Sequence, residues 1–473
     1  MAVFLFALLV RLIYLGLVGD QLFQVGYMGE YPHLAQNIIH GKGFVIDDKS
    51  GYAAAMVDIG HPIDPVDYQE PEGHVPKLYN VSHISPGYPY FIAGVFKVFG
   101  ERLLWLNLVQ ILLDSCCIFL LWAIVIPVFG ERAALWSTLI YALRLPVARF
   151  SLTILKGSIL PFFLLLTTFF FLKIFKSREP KHKIFWSLCC AISITACSYI
   201  RFEFILLTLA FPLFIWLSTR NLKDAAQLLA VLASCLIILS SPWVIRNKNV
   251  FGKAFGMQYT HWVTLWHGFG QIPNDFGAAY DEASTWDMAL KEGFPADKGK
   301  YHDLTYNDFL KPKVIRVLTH EPLFIARLWI TRAWWVLRQR NYWGFPQIED
   351  QKYSYLGKGI SPIRYAIKYP KIFFLKTIGI IENFVFILLA LLGVYVALRN
   401  KLSLIGGFGA MLILAIPAYN IAMRIVTVMD SRYVLPGNVL LCPFVAVALI
   451  YIFDKKLYDP SNISGLFRKP VKT

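Results

Sequence analysis

The sequence lacks the features that hold small secreted or metal-built folds together. Its seven cysteines, Cys116, Cys117, Cys189, Cys190, Cys197, Cys235 and Cys442, all fall inside apolar runs, where they behave as small core residues rather than as bridges or zinc ligands. No disulfide framework is implied. Acids are scarce, 30 against 46 lysines and arginines, and the net charge of +16 would suit nucleic acid. The basic residues, however, cluster between hydrophobic runs, as expected of loops that stay on the cytoplasmic side of a membrane. No nucleic-acid partner is expected. An internal repeat of the kind transporters carry is missing. Residues 1 to 18 also lack a basic n-region and a small-residue cleavage site, so they read as a retained first helix rather than a signal peptide.

What the chain has in abundance is apolar surface. With 57% hydrophobic and 16% aromatic residues, a mean hydropathy of +0.53 and long apolar runs, its 473 residues describe an integral membrane protein. The fold class expected is all-α and polytopic, with about ten membrane helices (nine to thirteen allowed) and two large external loops carrying short interfacial helices. The spans fall near 1–18, 103–126, 133–148, 158–175, 184–200, 203–219, 225–245, 372–398, 403–423 and 433–453. Several are short against the ~20 apolar residues a bilayer needs, so the pairs at 133–175 and 184–219 are expected to tilt or to be partly re-entrant. KIFKSREPKHK (173–183), STRNLK (218–223), LRNK (398–401) and the tail with Lys455, Lys456, Arg468, Lys469 and Lys472 mark the cytoplasmic side. Both termini then lie inside, and loops 19–102 and 246–371 lie outside.

Three regions follow: an N-terminal transmembrane catalytic module (1–245) that includes the first external loop, the large external loop (246–371), and C-terminal transmembrane helices with a cytoplasmic tail (372–473). The large loop ends in EPLFIARLWITRAWWVLRQRNYW (321–343), where Trp and Arg alternate at helical spacing. It reads as an interfacial helix, since Arg327, Arg332, Arg338 and Arg340 would be costly inside lipid.

Positive charge on the outer side runs against the positive-inside rule, and there the sequence is informative. Arg144, Arg149, Lys156, Arg201, Arg246, Arg424 and Arg432 all fall at outer helix ends. Together they suit an anion held at the membrane face, a lipid-linked phosphate above all. The bland alternative, that each snorkels to ordinary phospholipid, has even odds for any one of them.

The stretch GEYPHLAQNIIHGKGF (29–44) adds a carboxylate to that face. Pro32 suits a first helical turn and Gly41 a C-cap, while Leu34, Ala35, Ile38 and Ile39 form an apolar stripe with His33 and Asn37 on another face. A short helix on the outer surface is expected. Glu30 precedes its first turn, where the helix dipole keeps a carboxylate ionised. It is a candidate proton acceptor, with simple helix capping as the equally weighted alternative.

Five blocks in order, GEYPHLAQNIIHGKGF, SPGYPYFIAGVFKVFG (85–100), SPWVIRNKNVFGKAF (241–255) with THWVTLWHGFG, HEPLFIARLWITRAWW (320–335) and DSRYVLPGNVLL (430–441), resemble the GT-C glycosyltransferases. The likeness is to the bacterial branch related to protein O-mannosyltransferases and the lipid A aminoarabinose transferase, and it spans nearly the whole chain. It implies an enzyme that moves a sugar from a polyprenyl-phosphate donor to a hydroxyl on an external glycan, lipid or protein, with inversion. A multi-pass location in the bacterial inner membrane, active on the periplasmic side, goes with it. Glu30 falls on the acid that the family assigns to orient or deprotonate the acceptor. Two departures stand out. Gly29 replaces the first member of an acidic pair, and Leu155-Lys156-Gly157 stands where relatives often carry Thr-Glu or Ser-Glu.

On this reading Arg246 and Arg432 hold the donor phosphate, with Lys156 and Arg201 as further candidates. Tyr31, His33, His83, Tyr88 and Tyr433 are candidates for the sugar or acceptor pocket, His83 and Tyr88 being aimed by a tight turn at Pro86-Gly87. His61, His74, His83, Asp47, Asp48, Asp64 and Asp67 match no recognised ligand spacing, so no metal or other cofactor is expected to be required, though a divalent ion stays open. Two other classes remain. A flippase or transporter of lipid-linked saccharides should show broken helices and a relay of buried charges, and only Asp114 lies deep in a span. A non-catalytic assembly protein should show a degenerate catalytic loop.

Overall fold

The computed structural model describes residues 1–22, 30–47, 77–296, 298–337, 362–368, 370–399 and 408–454. His61, His74, Asp48, Asp64, Asp67, Arg338, Arg340 and the basic tail lie outside the described residues.

The fold is all-α. In chain order the helices are α1 (Ala2–Leu22), α2 (Glu30–Ile39), α3 (Gly87–Phe99), α4 (Leu103–Phe129), α5 (Glu131–Leu143), α6 (Leu145–Phe150), α7 (Leu160–Lys176), α8 (Pro180–Ile200), α9 (Leu207–Thr219), α10 (Leu222–Phe251), α11 (His261–Phe269), α12 (Glu282–Lys291), α13 (Lys298–His302), α14 (Thr305–His320), α15 (Pro322–Leu337), α16 (Pro362–Lys368), α17 (Pro370–Arg399), α18 (Phe408–Val426), α19 (Ser431–Asn438) and α20 (Cys442–Phe453). Short 3-10 turns join α8 to α9 and α19 to α20. A two-residue antiparallel ladder, β1 (Val45–Ile46) with β2 (Tyr79–Asn80), pairs Val45 with Asn80 and Ile46 with Tyr79.

Seven of the ten expected spans are long and apolar enough to cross a membrane: Leu103–Phe129, Pro180–Ile200, Phe202–Thr219, Leu222–Phe251, Thr377–Arg399, Phe408–Val426 and Arg432–Phe453. The other three correspond to shorter elements. The span expected at 133–148 breaks at Arg144, which has extended backbone, and leaves α5 with 13 residues. That is ~20 Å of helix at the usual rise, less than a hydrocarbon core of about 30 Å. Helix α7 has 17 residues, and the apolar part of α1 ends at Leu17.

Charges inside the bundle are paired rather than mobile. Asp114 on α4 accepts from Arg11 Nε at 2.6 Å and from the Tyr141 hydroxyl at 2.5 Å, and Arg11 also donates to the Ala142 carbonyl at 2.9 Å, near the C-terminus of α5. A carboxylate so engaged is a structural lock, which removes the one residue that favoured a proton relay.

The two loops expected outside meet at the same end of the bundle. Ser82 donates from its backbone N to the His302 carbonyl at 2.9 Å, and its hydroxyl reaches the Asp303 carbonyl at 2.9 Å. Residues of α11–α15 share their own core around Trp266, Phe269, Tyr306, Leu310 and Leu328.

Three expectations about local structure need correction. Helix α2 does not lie on the surface: Tyr31 to Asn37 are all buried, and Tyr31 packs edge-on against Tyr88 on α3 with ring centroids 5.3 Å apart. Pro86-Gly87 is not a free turn but the start of α3, where a Cβ on Gly87 would sit 2.7 Å from the Tyr199 carbonyl oxygen of α8. Arg332 on α15 does not reach outward to phosphate. It is fully buried and donates to Gly268, Ile425 and Val426 carbonyls at 2.7, 2.9 and 3.0 Å, so it caps the end of α18. The outward face of α15 carries Arg327 among exposed Leu323, Ile330 and Trp334.

Candidate active site

Between the end of the bundle and the α11–α15 segment lies a cavity of about 530 Å³. Glu30, Tyr31, His83, Lys156, Arg201, Arg432 and Tyr433 line it, seven of the ten residues singled out in the sequence. They converge from five separate stretches of chain.

One end of the cavity is basic. Arg201 and Glu203 sit at the joint after α8, Arg424 at the end of α18, and Arg432 and Tyr433 at the start of α19. Glu203 lies 2.9 Å from Arg201 Nε and accepts a hydrogen bond from Arg424. Asp430 accepts from Arg432 at 2.9 Å and from the Tyr280 hydroxyl at 2.9 Å. The guanidiniums of Arg201, Arg424 and Arg432 surround the Tyr433 ring at 4.3, 5.4 and 5.5 Å, so Tyr433 is packed among the arginines. Lys156, alone of the four cations, has no carboxylate at ion-pair distance among the described residues. Burial, with Arg201 next, pushes its pKa down to about 8 despite Glu203. An anion entering here meets four cations balanced by two carboxylates.

The loop that carries Lys156 is fixed from below by Gln110 on α4. Gln110 accepts from the hydroxyls of Tyr88 and Ser158 at 2.7 Å each, and donates to the carbonyls of Ser151 and Thr153 at 3.1 and 3.3 Å. A glutamine inside a span is costly unless satisfied, and here three of its four partners belong to the loop while Tyr88 ties it to α3. At Gly157 the packing is equally close: a Cβ would meet the Phe150 ring at 2.6 Å.

Glu30, the first residue of α2, lies 3.7 Å from His83 Nε2. Burial would raise its pKa, but the nearby imidazoles of His83, His302 and His33 outweigh it and hold the carboxyl below its ordinary range. Glu30 is therefore an ionised base at neutral pH. Glu30, His83 and His302 bring their ligand atoms within 4.8 Å of one another, a Glu-His-His set chemically able to hold a divalent ion.

Three predicted site residues do not line the cavity. Arg246 is spent on the Phe44 and Val81 carbonyls at 3.1 and 3.4 Å and on Asn247 Oδ1 at 3.0 Å, with its guanidinium 4.9 Å from the Trp243 ring. It ties α10 to the first loop. His33 is buried beneath the cavity, where its Nε2 accepts from the Asp47 backbone N at 3.1 Å and faces the Asp47 carboxylate at 3.2 Å. Tyr88 is buried on Gln110. Of the remaining outer cations, Arg144 faces Glu382 at 3.3 Å and the Phe386 ring at 3.6 Å. The outer basic set thus divides, and only Lys156, Arg201, Arg424 and Arg432 serve the cavity.

Several lining residues were not singled out from sequence: Glu203, Glu282, Tyr301, Tyr306 and His267. An acid flanked by apolar residues at the end of a span, as in RFEFILL, was the one legible signal.

The architecture defines a class, a polytopic all-α membrane protein whose charged cavity sits where its two long loops meet the bundle. Residues 83–245 match the model described as dolichyl-phosphate-mannose-protein mannosyltransferase. That stretch includes Lys156 and Arg201 but not Glu30, Arg424 or Arg432. None of the curated proteins matches the chain. Among solved structures, the whole chain superposes on 52% of the Archaeoglobus fulgidus oligosaccharyltransferase in its apo form, with a TM-score of 0.50 and 14% identity. The same archaeal enzyme, AglB in complex with an inhibitory peptide and a dolichol-phosphate, gives 0.49 and 13% over the same shares. ArnT from Cupriavidus metallidurans bound to undecaprenyl phosphate gives 0.37 and 12%, over 94% of this chain and 75% of that one. The chain spans about half the length of the archaeal enzyme, and at these identities the likeness concerns the fold.

Proposed function

We propose that the protein transfers a sugar from a polyprenyl-phosphate donor to a hydroxyl on an external acceptor. The observation that carries this reading is that one cavity holds both an ionised carboxylate, Glu30, and a cluster of cations, Lys156, Arg201, Arg424 and Arg432. The matched family's description supplies the donor type, a phosphate-linked lipid sugar.

The chemistry follows from the two ends. Glu30 accepts the proton as the acceptor oxygen attacks the anomeric carbon. The bond to the phosphate oxygen breaks with inversion, and the leaving polyprenyl phosphate keeps the electron pair. The cations stabilise the oxyanion as it forms, in a buried site where each charge counts for more than in water. No relay of buried charge supports a transporter, since Asp114 is paired with Arg11.

Glu30→Gln removes the base and keeps its size. Transfer in reconstituted membranes should fall by roughly 10² to 10⁴, with donor binding retained. Near-full transfer by Glu30→Gln would remove Glu30 from the mechanism, and loss of donor binding as well would point to a structural role.

A further inference from the structure

The wall of the cavity formed by α11–α14 has a chemistry of its own. Tyr306 and Asn307 are each 2% exposed and line the cavity. Among the described residues the Tyr306 hydroxyl, Asn307 Nδ2 and His267 Nε2 have no hydrogen-bond partner. Buried polar atoms are nearly always satisfied, and leaving one unpaired costs about 1–3 kcal/mol. Three on one wall of one cavity point to a ligand that supplies the missing partners.

The surroundings say what kind of ligand. Tyr301 and Tyr306 present aromatic rings with centroids 5.1 Å apart, backed by Trp286 at 5.4 Å from each. Glu282, at the start of α12, adds a carboxyl to the same wall. A mix of donors and acceptors beside aromatic faces matches a polyhydroxylated ring, which offers an apolar face and several hydroxyls at once. A single serine or threonine hydroxyl would leave most of these groups unpaired. Burial holds His267 at about 4 despite Asp281, so its imidazole is neutral at physiological pH and suited to a hydroxyl rather than to an anion.

We propose that this wall is the acceptor subsite and that the acceptor is a glycan, its hydroxyls received by Tyr306, Asn307, His267 and Glu282. The proposal rests on the glycosyl-transfer reading above, which gives the basic residues of the cavity to the donor phosphate and the acceptor's proton to Glu30. The acceptor hydroxyl that faces Glu30 then belongs to the sugar ring seated against this wall.

The test uses the full chain in nanodiscs. It is applied to an array carrying oligosaccharides and serine- or threonine-containing peptides, and undecaprenyl phosphate binding is measured separately. The wild-type chain should retain a subset of the oligosaccharides and none of the peptides. Tyr306→Phe removes only a hydroxyl that has no partner in the free protein, so it should leave thermal stability unchanged. It should weaken glycan binding about three- to tenfold, the worth of one hydrogen bond. Glu282→Gln should weaken glycan binding too, and neither change should alter undecaprenyl phosphate binding. Binding of peptides alone would overturn the proposal, as would glycan binding unmoved by Tyr306→Phe. A wall that served only the donor's own sugar would leave every free glycan unbound, which overturns it equally. In each of those outcomes intact undecaprenyl phosphate binding leaves the phosphate end of the reading standing, whereas its absence would count against that reading itself.

Discussion

Glu203 lies 2.9 Å from the Arg201 side chain and takes a hydrogen bond from Arg424, so one carboxylate holds together two cations from distant parts of the sequence. The joint after α8 and the end of α18 also meet through the neighbouring Tyr419, whose hydroxyl donates to the Glu203 carbonyl and whose ring lies 6.0 Å from that of Phe204. Removing one partner of a buried pair costs about 3–5 kcal/mol because the other charges stay uncompensated. Glu203→Ala should therefore lower the denaturation midpoint sharply. Arg201→Ala leaves Glu203 its second partner, so it should lose donor binding with a smaller loss of stability. Comparing thermal melts with donor binding for the two variants checks this, and equal stability losses would refute it.

Lys156 gives the donor end a pH dependence with a definite sign. Its pKa in the folded protein is about 8, below the ordinary lysine value of about 10.4. Between those values the unfolded chain binds the proton that the folded chain has released, so stability rises with pH across the window. Donor binding should move the opposite way, because a phosphate favours the charged lysine and the empty site loses that charge above pH 8. Undecaprenyl phosphate affinity is expected to fall from pH 7 to 9.5 in the wild type and to stay flat in Lys156→Arg, whose charge persists. Parallel curves for the two proteins would exclude Lys156 from the phosphate site.

Sidedness follows from the meeting of the two loops. Ala296 is exposed in the segment that closes the cavity, and Ser177 lies at the far end near the Lys183–Asp224 pair, which is 2.7 Å long. With cysteine introduced at each position, a membrane-impermeant thiol reagent should label Ala296→Cys in intact cells and leave Ser177→Cys unlabelled. The reverse pattern would place the cavity in the cytoplasm. Gly268 is unsuited as a second reporter, since a Cβ there would meet the Thr427 carbonyl oxygen at 2.3 Å.

What the sequence disclosed and what it hid have a physical division. Apolar runs of eighteen or more residues locate spans because lipid leaves the backbone no other partner, and seven of the expected spans stand on that ground. The span near 133–148 failed because hydropathy averages across Arg144, where the backbone turns. Glu30 was legible from its place before a helix that begins with Tyr31-Pro32. The four cavity cations were legible as a group with Arg144, Arg149 and Arg246, but not separable from them. Whether an arginine meets a phosphate or a backbone carbonyl depends on what packs beside it, and Arg246 on Phe44 and Val81 is decided by a contact across the fold. Tyr306 and His267 carry no local signal, since their unpartnered atoms exist only once α11 and α14 close the cavity.

Metal dependence turns on the Glu30–His83–His302 set. A tetrahedral ion with ligands at about 2.0–2.2 Å would need its ligand atoms roughly 3.3–3.6 Å apart. Glu30 and His83 already stand 3.7 Å apart, while the set as a whole spans up to 4.8 Å. The His83 and His302 rings are stacked with centroids 5.3 Å apart, Tyr301 packs edge-on against both at 5.5 and 5.2 Å, and Tyr79 lies 6.0 Å from His302. Rings held in this way are not easily drawn together, and His83 stands beside Glu30 as its charge partner without an ion. Transfer should therefore survive exhaustive chelation, and His302→Ala should lower activity only mildly while His83→Ala, which removes the partner of the base, lowers it strongly. Loss of transfer on chelation, restored by zinc or manganese in the wild type but not in His302→Ala, would make these three residues a metal site.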